Sequence, residues 1–172
     1  MAIRGSRLNH LYSDRNAVEG LPLTMIIVMI VLAITIPMIF GSLRAYDRGR
    51  VEAAMTSEIN DFASMVQLIF ISGPGNSAII DFDAASGSMT GIDYVAFGDE
   101  PGAGLASTIR YKLQGQEEFI MLISSPNVPM MSNESEEFRL SSGNYRILAE
   151  CMTGYLDSND TKSTYVRLSI HQ

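Results

Sequence analysis

With one cysteine and two histidines among 172 residues, the chain has few of the side chains from which active sites are built. Cys151 stands alone, so no intrachain disulfide forms, no pair of cysteines has metal-ligand spacing, and cysteine usage carries no reading of redox compartment. His10 and His171 lie at opposite ends of the sequence, and neither belongs to a pattern with a nucleophile or an orienting carboxylate. The expectation is therefore a protein that is not an enzyme and holds no cofactor and no metal. Basic charge is also scarce past residue 50, where six Lys or Arg face sixteen acids, whereas residues 1–50 hold six arginines against three acids. The net charge of -7 thus hides a basic beginning and an acidic remainder, and an acidic head is repelled by nucleic acid and by anionic lipid, so neither is expected as its partner. No internal repeat is present.

Charge is missing altogether from Leu21–Phe40, LPLTMIIVMIVLAITIPMIF. At about 1.5 Å per residue, a helix of this length matches a hydrocarbon core roughly 30 Å thick, and its twelve Leu, Ile, Val and Phe residues together favour insertion by several kcal/mol. A transmembrane helix is expected there, with the membrane as partner through Leu21–Phe40. The polar residues before it, with Arg4, Arg7 and Arg15, read as a leader held in the cytoplasm, so that the span runs from inside to outside. Arg44, Arg48 and Arg50 follow closely, so the basic-residue count alone does not fix that direction. The apolar run is about twice the length of a secretory signal and no small-residue cleavage pattern follows it, so the span is expected to stay in the mature protein.

Past the span, Val51, Met55, Ile59, Phe62, Val66 and Ile69 recur at spacings of three and four, with Glu52, Glu58 and Asp61 between them. This pattern predicts an amphipathic helix continuing the span from about Pro22 to Ile71, bent near Pro37 or Gly41, with Met55, Ile59, Phe62, Val66 and Ile69 packing on a sheet. After Gly73-Pro74-Gly75 the period changes to two. Strands are expected around Ala78–Asp83, Ile92–Phe97, Thr108–Leu113, Glu118–Ile123, Phe138–Leu140, Tyr145–Cys151 and Thr164–Ile170. Short connections imply hairpins and an antiparallel arrangement, with two longer loops at Gly98–Ala106 and Ser124–Glu137. The fold class is α+β: a long N-terminal helix, transmembrane and then amphipathic, packed on an antiparallel β-sheet or β-sandwich head. The division is leader 1–20, span 21–40, amphipathic helix 41–72 and extracytoplasmic β domain 73–172.

Other motifs have plain structural readings. Asp81 and Asp83, with Asp93, Asp99 and Glu100, offer hard oxygen ligands of the kind calcium takes, but lack the spacing of an EF-hand loop and read as a solvated acidic face. Gly73-Pro74-Gly75-Asn76 follows a helix instead of opening one and has no lysine, so it reads as a turn and not a phosphate cradle. Asn133-Glu134-Ser135 and Asn159-Asp160-Thr161 are glycosylation acceptors in polar loops, meaningful only if the head lies outside the cell.

Arg15-Asn16-Ala17-Val18-Glu19-Gly20 running into the apolar segment places a short basic leader and small residues before an apolar helix, an amphipathic helix and a β-rich head. In this order the chain resembles archaeal type IV pilin-like proteins, of the minor or accessory kind. The resemblance implies a prepilin peptidase that cuts the leader after Ala17 or after Gly20. It also implies helices that bundle with those of other pilin-like subunits, heads outward, in a surface filament. A cut after Ala17 leaves Glu19 as the second residue, where its charge sets register against a neighbour's terminal amine; a cut after Gly20 removes it. The other readings are a single-pass anchored binding module, recognising a partner through the two long loops, and a stationary part of the archaeal swimming motor.

Overall fold

The computed structural model describes residues 15–84, 86–100, 104–155 and 162–171, with side chains from Pro22 onward, Tyr155 excepted. The chain divides into two compact units, Met1–Leu43 and Arg44–Gln172.

The described part of the first unit is helical. Helix α1 (Arg15–Ser72) starts seven residues before Pro22 and runs through both Pro22 and Pro37, so the expected start near Pro22 is corrected. Each proline lacks the amide that would bond the carbonyl four residues earlier, that of Val18 for Pro22 and of Ala33 for Pro37, and the helix continues past both. The Thr35 hydroxyl donates to the Val31 carbonyl, and that of Ser42 to the Met38 carbonyl at 2.9 Å. The Thr35 and Ser42 hydroxyls are thus satisfied within the helix. Its large apolar side chains from Leu23 to Phe40 are all 47–66% exposed, and the helix is long and apolar enough to cross a membrane.

The second unit takes the part of α1 after Leu43 and eight strands: β1 (Ser77–Ala84), β2 (Ile92–Phe97), β3 (Thr108–Leu113), β4 (Glu118–Leu122), β5 (Met130–Ser132), β6 (Phe138–Leu140), β7 (Gly143–Tyr155) and β8 (Lys162–Ile170). They form two four-stranded sheets, ordered β1-β7-β8-β5 and β4-β3-β2-β6. The α+β class, a long helix packed on a β-sheet head, is what the structure shows. Alternation decides which face each strand buries: in β1, Ile80, Phe82 and Ala84 point inward while Ile79, Asp81 and Asp83 face out. Pairing is antiparallel except for β5, which lies parallel to β8 with Met130 opposite Val166. The expectation of an open loop over Ser124–Glu137 and of purely antiparallel pairing is corrected by this strand. Met130 and Met131 are almost wholly buried, and the Met130 and Val166 amides donate to Ala106 and Pro129 carbonyls at 2.8 Å. Buried amides need such partners.

Met55, Ile59, Phe62, Val66 and Ile69 on α1 are all buried, together with Val51. Phe62 meets Phe82 of one sheet at 5.6 Å between ring centroids, edge to face, and Phe97 of the other at 4.6 Å. Phe82 and Phe97 touch at 5.2 Å, so one helical side chain locks both sheets into a single core. Immediately after Phe97, Gly98 has φ +65, and a Cβ there would sit 1.8 Å from the Met130 carbonyl oxygen. Replacing Gly98 by alanine is expected to destabilise the unit by more than about 1 kcal/mol, read as a lowered denaturant midpoint.

Candidate functional site

Three features of the described residues have the geometry to serve a function: the apolar face of α1, the end of the second unit where α1 enters it, and the outer face of the sheet built from β4, β3, β2 and β6.

At the entry of α1, Asp47 is the one acid inside a basic run, Arg44-Ala45-Tyr46-Asp47-Arg48-Gly49-Arg50. Its carboxylate is 9% exposed and does not pair with those arginines. Instead Oδ2 accepts the Met89 amide at 2.8 Å, and Oδ1 accepts the Ser88 amide and hydroxyl at 3.2 Å each. The loop 86–91 is thereby folded down onto the helix. Gly87 is required for this closeness, because a Cβ there would lie 2.4 Å from Asp47 Oδ2. The Met89 amide lowers the Asp47 pKa most; burial opposes it, and Ser88 and the Thr90 hydroxyl lower it further. Since the folded pKa lies below the ordinary 3.8, the stabilisation is complete above that value and is lost as pH falls through the folded pKa. Asp47→Asn should therefore lower the denaturant midpoint by a constant amount near neutral pH. The gap to the unsubstituted protein should close below pH 3.8, and a gap that persists in strong acid would mean that the charge is not what holds the loop.

On the outer sheet face Arg110 gathers the two loops expected to recognise a partner. Its Nη2 donates to the Gly98 carbonyl at 3.1 Å and to Glu137 at 2.7 Å, with Asp99 at 3.9 Å. Beside it, the Arg139 guanidinium lies 3.8 Å over the Tyr94 ring, and the Tyr94 hydroxyl donates to Glu118 at 2.8 Å. That bond, with burial second, raises the Tyr94 pKa. Ile120, which pairs with Arg110, and Leu122 leave 58% and 62% of their surfaces in solvent. The loop residues 101–103 lie outside the described residues.

No catalytic constellation accompanies these surfaces among the described residues. A groove of about 310 Å³ between α1 and β1 is lined by Glu58, Asp81, Asp83, Asn144, Tyr145 and Arg146. Its acids are partly engaged: Arg146 reaches Asp81 at 3.5 Å and Glu58 accepts the Asp83 amide at 2.9 Å. No group of three His, Cys, Asp or Glu is placed to hold a metal among the described residues, and Asp81 and Asp83 lie on a different sheet from Asp93. Cys151 is buried, and burial raises the pKa of its thiol.

Neither family models, nor curated proteins, nor solved structures match the chain. The account of function therefore rests on the residues themselves. Ala17, Glu19 and Gly20 lie in the backbone of α1, and Asn133 is exposed in the turn between β5 and β6. Asn159 lies outside the described residues. Asp47 was not singled out by sequence reasoning. The available signal was a lone acid among three arginines on a helix, followed 39 residues later by Ser86-Gly87-Ser88-Met89-Thr90-Gly91, a run rich in hydrogen-bond donors.

Proposed function

We propose that the chain is a non-enzymatic, membrane-anchored, pilin-like subunit of an archaeal surface filament or of its assembly complex, with its acidic β head outside the cell. The observation that carries this reading is the contrast along α1. Its apolar face is buried from Val51 to Ile69, whereas the large apolar side chains from Leu23 to Phe40 all stay about half exposed or more. A helix apolar on every side needs lipid or other apolar helices around it, and a filament subunit exchanges the first for the second. Ala17 and Gly20 are the candidate positions for peptidase cleavage, and Glu19 is the candidate for setting register between neighbouring helices. Asn133 and Asn159 are candidate glycan acceptors on an external head.

The test uses the placement of lysine. The chain has two, Lys112 and Lys162, both in the second unit. A membrane-impermeant amine reagent applied to intact native cells should label the head, and shearing should release labelled chain. Labelling only after lysis, with no chain in the sheared fraction, would overturn the reading.

One observation favours the anchored binding module as a second reading. Arg110 ties the Gly98 and Glu137 loops into a single surface bordered by exposed Ile120 and Leu122, as partner recognition requires. In that case the leader is kept and the chain stays with the membrane.

A further inference from the structure

We propose that the end of the Arg44–Gln172 unit bearing Arg44, Tyr46, Arg48, Arg50 and Met89 is a docking surface for anionic lipid headgroups. The inference rests on the membrane-anchored reading above.

The head as a whole is acidic and repels anionic lipid, so the inference is confined to this locally basic end, and its first argument is an imbalance of pairing. After residue 50 every arginine is matched with a carboxylate: Arg110 and Arg139 with Glu137, Arg146 with Asp81, and Arg167 with Glu150. Among the described residues Arg44 and Arg50 have no hydrogen bond or ion pair, although the unit is rich in acids. Arg48 meets only a neutral group, the Gln116 amide, which accepts at 2.7 Å with its oxygen turned to the guanidinium. The acid nearest in sequence, Asp47, is committed to the Ser88 and Met89 amides, so it leaves the arginines open to another anion.

The second argument is what Asp47 brings with it. By holding the Met89 amide it fixes a half-exposed methionine on the loop that meets α1 within the Arg44–Arg50 stretch, where Tyr46, next to Asp47 in the chain, is 75% exposed. Cationic, aromatic and flexible apolar side chains together match the boundary between headgroups and acyl chains. The third is position in the sequence. Arg44–Arg50 lie four to ten residues past Phe40, or about 6 to 15 Å at helical rise, and the headgroup layer on each side of a bilayer is about 5–7 Å deep. Guanidinium groups reaching back along the helix bring Arg44 and Arg48 to that layer and leave Arg50 within a Debye length, about 10 Å, of it.

The chain contains no tryptophan, so Met89→Trp in the full-length protein gives a single reporter at an exposed position. The variant is incorporated into phosphatidylcholine vesicles with or without about 30 mol% phosphatidylglycerol, and its quenching by brominated lipid is measured. The expected result is quenching in the anionic vesicles, weakened by salt. Adding Arg44→Gln and Arg50→Gln should shift docking by about 25-fold, roughly fivefold for each arginine. Protein that floats with the vesicles but is quenched equally in both lipids, or is indifferent to the arginine changes, overturns the inference and leaves anchoring intact. Quenching lost on dilution of the protein within the bilayer, whatever the lipid charge, overturns it in favour of a second copy as occupant. Failure to float at all overturns the anchoring reading, and this inference with it.

Discussion

Phe62→Ala is expected to destabilise the Arg44–Gln172 unit by about 3–5 kcal/mol, a large part of the stability of a domain this size. The ring is 1% exposed and touches Phe82 of one sheet and Phe97 of the other, and Phe97 in turn lies 6.0 Å from Phe138. Truncation therefore opens a cavity where α1 and both sheets meet, and no single neighbour can fill it by a rotamer change. The control is Leu68→Ala on the same helix, 60% exposed, which should shift stability by no more than about 0.5 kcal/mol. Urea unfolding of a 44–172 fragment reads both. Equal effects would mean that the helix is not part of the head's core.

A double charge in the apolar segment should release the chain from the membrane where a single one does not. The twelve Leu, Ile, Val and Phe residues of Leu21–Phe40 favour insertion by several kcal/mol in total, and one central arginine costs about 2.5–3.5 kcal/mol. Val31→Arg is thus expected to remain in the pellet after alkaline carbonate extraction. Ile30→Arg combined with Ile34→Arg should move most of the chain to the supernatant, because two such costs cancel the favourable sum. Retention of the double variant would show that something other than the apolar segment holds the protein to membranes.

These two results concern the parts of the fold that could be read from local pattern. The period of four and three from Val51 to Ile69 depends only on helix geometry, and every residue of that stripe is buried. Alternation likewise identified β1 and β3, because each buries one face. The short strand β5 was invisible for the opposite reason. Three residues, Met130–Ser132, are too few to show a period, and the parallel partner that creates the strand, β8, lies more than 30 residues away. The pairing of β1 with β7 is equally non-local, setting Phe82 opposite Tyr145. Asp47 belongs to the same class. Its role comes from amides 41 and 42 residues downstream, and in sequence it looks like one more charge on a helix. The meeting of two loops at Arg110 also needs three-dimensional placement, since Gly98 and Glu137, far apart in the chain, are brought together by the pairing of Phe97 with Phe138 across β2 and β6.

The surfaces found in this way divide by role. On the proposed reading, the apolar part of α1 answers to lipid or to like helices and the Arg44–Arg50 end to headgroups, while the Arg110 face is the surface that a binding module would use. A subunit that leaves the bilayer for a filament keeps the head and gives up the lipid contacts, and removal of the leader is the chemical record of that transfer. The most direct measurement is therefore the N-terminal residue of the mature protein, by mass spectrometry of membrane and sheared surface fractions from native cells. The account predicts a start at Val18 or Leu21 in the sheared fraction. An intact leader confined to the membrane fraction would contradict it.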